Sequence, residues 1–215
     1  MAPSVKGDRP SQRGGQSRTR LARRAVVDAA RALFLDRGYQ ATTIDAISEH
    51  ADVPAATVYR LFSSKLGILK ALLDVSIAGD DQAVPMTERP RVTELLDEPD
   101  PAKVLDGFAG VAAAINGRSS DLYRILSSAA FSDPSAAELH AEYQHQRAQG
   151  QGQIARVLAR SGALRPGLRE RDAADLIHAL MSPELYRLLV IDRGWRPDRY
   201  ERWLAQTLVD QLTSP

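Results

Sequence analysis

The 215-residue sequence carries 28 Lys and Arg against 27 Asp and Glu, no Cys, and an apolar fraction of 44%. That length can bury a sizeable core in one or two domains, and the lack of cysteine excludes disulfides, zinc–thiolate sites, iron–sulfur clusters and a thiol nucleophile. The polar first residues hold no apolar signal-peptide core. The longest apolar runs, such as Leu188-Leu189-Val190-Ile191, fall far short of the ~18 residues of a membrane span, so the expectation is a soluble, cytoplasmic protein with no membrane partner.

Charge is unevenly distributed. Residues 1–75 hold 12 basic and 7 acidic side chains, whereas residues 76–215 hold 16 and 20. Lys6, Arg9, Arg13, Arg18, Arg20, Arg23 and Arg24 meet only Asp8 before Asp28. This asymmetry points to a polyanion at one end of the molecule; a solvated basic tail, with Arg23, Arg24 and Arg31 as an ordinary helix face, is the alternative.

No segment sustains a period of two, so the chain reads as all-α. Residues 1–16 are polar and rich in Gly, Pro and Arg, the composition of a disordered basic arm. A first helix starts near Arg18, with Val26, Ala29, Ala30, Leu33 and Phe34 on one face, and Gly38 stops it. Thr42-Thr43 offers an N-cap for a second helix through about His50. After a turn at residues 51–53, Pro54 is expected at the first position of a short third helix through Leu61. Ser63-Ser64 caps a fourth, whose stripe is Leu66, Leu69, Leu72 and Leu73.

From Gly79 to Pro101 the Pro- and Asp-rich composition predicts a linker. Five further helices are expected, over about 101–116, 120–131, 134–161, 170–193 and 198–212, with Asp133 capping the third and Pro183 kinking the fourth. The predicted domains are therefore an arm (1–16), a three-helix head (17–78) and a larger helical domain (79–215).

Short helices joined by a tight turn behind an arginine-rich arm have the layout of a helix-turn-helix unit. Thr42-Thr43-Ile44-Asp45-Ala46-Ile47 followed by Ala51-Asp52-Val53-Pro54-Ala55-Ala56-Thr57-Val58-Tyr59-Arg60-Leu61-Phe62-Ser63-Ser64-Lys65 closely resembles the TetR-type family of bacterial transcriptional regulators, over roughly Thr19 to Leu73. The resemblance implies an N-terminal helix-turn-helix DNA-binding domain joined to a C-terminal helical ligand-binding and dimerisation domain. It further implies a homodimer that binds a palindromic double-stranded operator, more often as a repressor, and a small-molecule effector.

The candidate DNA-binding residues are Arg18, Arg20, Thr42, Thr43, Pro54, Ala55, Ala56, Thr57, Tyr59, Arg60 and Lys65. Thr43 offers a hydroxyl and helix N–H groups to a phosphate, Tyr59 a ring and a hydroxyl, and Lys65 a point charge for the strand backbone. Pro54 to Thr57 are small enough for the helix to sink into the major groove, and their methyls suit thymine. Arg60 reads a guanine or clamps a phosphate. The sequence departs from the family pattern at Asp52 and Ala56, where Gly is usual. Asp tolerates the left-handed conformation, so the turn is expected to survive.

In the larger domain, Phe108, Ala112, Tyr123, Leu126, Phe131, Tyr143 and Met181 are candidates for an effector pocket, with dense core as the competing reading; few charges lie there, so an uncharged or weakly polar ligand is expected. Leu180, Leu185, Leu188, Leu189, Trp203, Leu204 and Leu208 on the last two helices are candidates for pairing two chains.

An enzyme is not expected, since Walker, nucleophile-elbow and dinucleotide motifs are missing. Glu142-Tyr143-Gln144-His145 and Asp175-Leu176-Ile177-His178 have the Glu-x-x-His form, or nearly so, of di-iron bundles, with Asp106 and Asp121 as possible further ligands. Chance spacing explains them better, and no metal or cofactor is predicted. The rival to a DNA-binding regulator is a helical small-molecule-binding or adaptor protein that has lost DNA reading.

Overall fold

The computed structural model describes residues 11–80 and 84–214, with side chains from Ser17 onward. Residues 1–10 of the expected arm lie outside the described residues. Two compact units divide the chain, Met1–Leu72 and Leu73–Pro215. Among the described residues there are ten α-helices and no β-strand beyond an isolated bridge between Leu164 and Thr213.

The first unit is built on α1 (Ser11–Ala41), α2 (Ile44–Ala51), α3 (Ala55–Phe62) and the start of α4 (Lys65–Ala78). Helix α1 begins inside the segment expected to be irregular. It breaks at Gly38, whose φ of 76° is the conformation that a residue without Cβ adopts at no steric cost. The predicted stripe is buried, Val26, Ala30 and Phe34 fully, and so are Ile47 of α2, Val58 of α3 and Ile68 and Leu69 of α4. Pro54 precedes α3 rather than opening it. Its extended backbone (φ −52°, ψ 137°) lets its carbonyl accept from the Thr57 and Val58 N–H groups, the position of a cap.

The second unit is made of α5 (Pro90–Leu96), α6 (Pro101–Ala130), α7 (Pro134–Arg160), α8 (Glu170–Leu180), α9 (Pro183–Tyr186) and α10 (Pro197–Leu212), with a 3-10 turn at Met86–Glu88 and a π-helical turn at Arg187–Asp192. Its core runs from Val92 and Leu95 through Leu105, Phe108 and Ala109 to Leu158, Ile177, Tyr200, Leu204 and Leu208.

Three expectations about this unit are corrected. The predicted linker contains α5, because Val92 and Leu95 find apolar partners in the core and Pro90 is acceptable in a first turn. The helices expected at 101–116 and 120–131 are one 30-residue helix, α6. Its polar residues at the expected break are buried with partners: Asn116 Nδ2 donates to the Met181 and Ser182 carbonyls (3.2 and 3.4 Å), and the Ser119 hydroxyl donates to Ile115 O (2.8 Å). Composition alone reads such a stretch as a turn; burial makes it helix. Conversely, the helix expected over 170–193 is three elements. Ser182, forced to extended backbone by the following proline, stops α8 and caps α9 by accepting from the Leu185 N–H (3.1 Å).

Candidate nucleic-acid interface and ligand cavity

The turn between α2 and α3 is held by short-range chemistry. Thr43 caps α2, its hydroxyl accepting from the Ala46 N–H at 3.1 Å, and Asp45 sits in the first turn where a negative charge suits the helix dipole. Asp52 ends α2 at φ 51°, ψ 42°, while the Asp52 N–H donates to Glu49 O and the Val53 N–H to Ser48 O, the paired bonds of a Schellman closure. The Ser48 hydroxyl adds a 2.7 Å bond to Val53 O. The non-glycine residue in this turn is thus accommodated in the left-handed conformation the sequence asked of it.

That turn orients α3 with Val58 and Phe62 inward. Pro54, Ala56, Tyr59 and Arg60 are exposed, and Ala55 and Thr57 are half-buried between the two faces. Tyr59 keeps 52% of its surface in solvent, an unusual outlay of aromatic area unless something docks on it. Thr43 is exposed at the start of α2, and Arg18 and Arg20 are exposed on α1.

Two candidates have other duties. Thr42 is 1% exposed, and its hydroxyl donates to Gly38 O (2.8 Å) and Leu33 O (3.2 Å), so it closes the end of α1 instead of facing a phosphate. Lys65 is half-buried; its ammonium donates to Tyr39 O (2.7 Å) and Thr42 O (2.9 Å) and lies 4.2 Å from the centre of the Tyr39 ring. The point charge expected for DNA is directed into the α1–α2 junction. Arg23, open from sequence between a polyanion contact and a solvated helix face, braces this unit: its guanidinium stacks 4.6 Å from the Phe62 ring and donates to Leu61 O (3.3 Å).

The exit from α3 is a second tight corner. Ser63 has φ 65°, ψ −36°, and the Ser64 N–H reaches Phe62 O at 2.7 Å, a γ-turn with positive φ. Ser64 then caps α4 by accepting from the Gly67 N–H (3.0 Å). A Cβ at Gly67 would collide with the Phe62 carbonyl oxygen, so glycine is what allows α4 to start so close to the end of α3.

The second unit contains a partly open cavity of about 550 Å³, within the range that holds a small organic ligand. Phe108, Ala112, Tyr123, Tyr143 and Met181 line it, as the sequence suggested. Leu126 is fully buried in the interior, away from the wall, and Phe131 is 93% exposed at the end of α6, where Asp133 has already begun α7; neither belongs to the pocket. The sequence reading missed the polar wall supplied by α7, which carries Gln146, Arg147, Gln149, Gln151 and Gln153, and the contribution of Ile77 from α4. Burial pushes the Tyr123 hydroxyl up to about 12, and it raises Tyr143 still further, aided by the short bond that the Tyr143 hydroxyl donates to Asp74 (2.6 Å). Burial also lowers Arg147 from its ordinary value.

Among the pairing candidates, Leu204 and Leu208 are fully buried and fill the core of their own unit, which removes them from an interface. Leu180, Leu185, Leu189 and Trp203 are half-buried, and Leu188 is 50% exposed together with Ile191 of the same π-helical turn. Trp203 meets Trp195 edge to face at 5.8 Å, with the Arg199 guanidinium 3.8 Å from the Trp195 ring centre.

The Glu-x-x-His pairs do not converge. Glu142 accepts from Gln146 (3.0 Å), His145 meets Gln149 (2.9 Å), His178 Nδ1 lies 2.8 Å from Gln151 Oε1, and Asp121 pairs with Arg187 (2.6 Å). Among the described residues no group of three or more His, Cys, Asp or Glu side chains could hold a metal ion, and no helix is long and apolar enough to cross a membrane.

Residues 26–72 match the model of the bacterial regulatory proteins, tetR family. The chain is 28% identical over 178 residues to an uncharacterized HTH-type transcriptional regulator, YdeS of Bacillus subtilis (strain 168), with 82% of each chain covered. Its fold is similar to that of native NalD, the secondary repressor of the MexAB-OprM multidrug efflux pump in Pseudomonas aeruginosa (TM-score 0.69, 22% identity, 91% of this chain and 98% of that one). A putative transcriptional regulator from Saccharomonospora viridis in complex with choline is also similar (TM-score 0.67, 19% identity, 90% and 98% covered). These relatives are regulators rather than enzymes, and the all-helical chain carries a helix-turn-helix segment, residues 26–72, that matches the tetR family of bacterial regulatory proteins.

Proposed function

We propose that the chain acts in the cytoplasm as a homodimeric repressor that occupies a palindromic operator and leaves it when a small molecule fills the cavity of the second unit. The observation that carries the reading is the outward face of α3. Pro54, Ala56, Tyr59 and Arg60 are uncovered there, beside the open N-terminus of α2 capped by Thr43. Small residues at the front of α3 suit close entry into a major groove. Thr43, Tyr59, Arg18 and Arg20, all exposed, would grip phosphates around it. Two copies would present two such helices to half-sites about 34–36 Å apart. The half-buried Leu180, Leu185, Leu189 and Trp203, with exposed Leu188, are the surface we assign to pairing.

Repression follows from occupying a promoter, as the description of NalD as a repressor suggests by analogy. The choline complex of the Saccharomonospora viridis protein is a precedent for a small molecule on this fold. Fluorescence-anisotropy titration of the full chain against its own upstream DNA, across a salt series, tests the proposal. Binding whose logarithmic affinity falls linearly with log salt, at a stoichiometry of two chains per palindrome, is the expected result. Absence of salt-sensitive binding at any protein concentration would leave an adaptor or ligand-binding role instead.

A further inference from the structure

The cavity wall contains one charged side chain, and it is a cation. Among the described residues that line the cavity there is no Asp, Glu or Lys, only Arg147 in a ring of amides and apolar groups. Its guanidinium donates to two neutral acceptors, Gln144 Oε1 at 2.7 Å and the His178 carbonyl at 3.1 Å. Among the described residues no carboxylate lies within ion-pair distance of it; Glu184 acts on it only through the longer-range field. A partly buried guanidinium has five donors in a planar fork, and leaving it without an anion in direct contact is costly even with Glu184 at longer range. Capping the last turn of α8 through the His178 carbonyl explains one donor. It does not explain why a full positive charge faces a cavity whose wall is otherwise apolar groups, amides and hydroxyls.

We infer that the effector is an amphiphilic monoanion, a carboxylate with an apolar body, whose anionic end is received by Arg147. This rests on the reading of the cavity as the effector site, and it departs from the expectation of an uncharged or weakly polar ligand. Two hydrogen bonds to neutral acceptors hold the guanidinium in place, so the fork is preorganised for a carboxylate. Phe108, Ala112, Ile154 and Met181 supply the apolar surface for the body. A single guanidinium balances one negative charge. A dianion such as a phosphate monoester would keep an uncompensated charge in the cavity, and an organic cation would be repelled.

Isothermal titration calorimetry of the full chain with octanoate, octanamide and octylammonium tests this. Octanoate is expected to bind about tenfold or more tightly than octanamide, the scale of one hydrogen bond to a charged partner, with octylammonium weakest. Arg147→Gln should bring octanoate to the level of octanamide. Equal or tighter binding of octanamide by the native chain, a preference that survives Arg147→Gln, or no binding of octanoate at millimolar concentration each overturn the inference. The native chain's selectivity decides the matter even if the variant fails to fold. Gly150→Phe separates this failure from failure of the cavity reading, because a Cβ at Gly150 meets nothing within 4 Å and the residue lines the wall. If Gly150→Phe weakens octanoate and octanamide alike and the two bind equally, the cavity stands and the anionic inference falls. If it leaves both untouched, both readings fall.

Discussion

Replacing Lys65 with methionine keeps the length of the side chain and removes its charge, and the structure makes a definite statement about what is lost. Two N–H bonds from the ammonium, at 2.7 and 2.9 Å, hold the carbonyls of Tyr39 and Thr42, and the Tyr39 ring faces the same charge at 4.2 Å. A hydrogen bond to a charged group contributes about 1.5–3 kcal/mol when buried, and a cation–π contact roughly 0.5–1. Lys65 is only half-buried, so water recovers part of the loss at both carbonyls, and methionine retains the stem's apolar contacts. The net expectation is about 2 kcal/mol of destabilisation, which at a slope near 2 kcal/mol/M moves a urea midpoint down by about 1 M. Urea titration of the full chain by circular dichroism at 222 nm reads this directly. The salt dependence of DNA binding supplies the counter-test. A lysine directed into the α1–α2 junction leaves the slope of log affinity against log salt unchanged, whereas a phosphate-bound lysine contributes about one unit to it. An unchanged midpoint together with a slope reduced by one unit would refute the assignment and return Lys65 to the DNA.

Arg60→Ala is expected to weaken operator binding by about 1–3 kcal/mol with relaxed preference at one base pair per half-site if the guanidinium reads a base edge, as competition binding against single-site operator variants measures; uniform loss on every sequence would make it a phosphate contact. Gly67→Ala should destabilise the protein by about 1–3 kcal/mol in the same urea titration, because the Phe62 carbonyl occupies the place of the new methyl. Asp52→Gly should be tolerated and Asp52→Val should cost about 1–2 kcal/mol, since a β-branched residue resists the left-handed conformation seen at φ 51°; equal stability of the two variants would contradict the turn geometry. His178 has its pKa lowered by burial first and by Arg147 second. Its folded value therefore lies below the unfolded ~6.5, so the stability it confers is fully present above about pH 6.5 and declines as pH falls through the window beneath it. His178→Asn should flatten that decline in melting temperature between pH 7.5 and pH 5.

How much of this was legible in advance depended on the range of the interactions. The cap at Thr43, the left-handed Asp52 and the inward stripe of α1 are local, and local chemistry is written in adjacent residues. Lys65 and Thr42 direct their polar atoms to backbone carbonyls, which a family motif does not state, because it places a residue without saying which way its polar atom turns. Lys65 finds its carbonyls 26 and 23 positions away, a distance at which no periodicity speaks. The same applies to α6, where Asn116 binds carbonyls 65 and 66 positions on and so turns an apparent break into helix. Leu204 and Leu208 show the converse limit. An apolar stripe states that a helix face is covered, but the choice between its own core and a second chain lies in the packing. Arg147 had a readable residue type and an unreadable address, because its significance comes from what the other walls lack.

A further set of long-range contacts meets at α4. Its first turn is fixed by the Ser64 cap and the close approach at Gly67, beside the helix whose outer face we assign to DNA. Its last turns, in the second unit, are held by Arg118, which donates to the carbonyls of Ser76 (2.9 Å) and Ile77 (3.2 Å), and by the bond from the Tyr143 hydroxyl to Asp74. Ile77 and Tyr143 both line the cavity, so a ligand that fills it meets the end of α4 and one of the groups that hold it. Helices respond to such repacking by shifting as rigid rods, because close-packed neighbours leave few intermediate positions. A shift needs only differential affinity: a ligand that binds one setting of α4 about a hundredfold better than the other moves the equilibrium by about 2.7 kcal/mol. The Tyr143–Asp74 bond is of that order or smaller, so exchanging it for ligand contacts is sufficient in scale to bias α4 without unfolding any part of the chain.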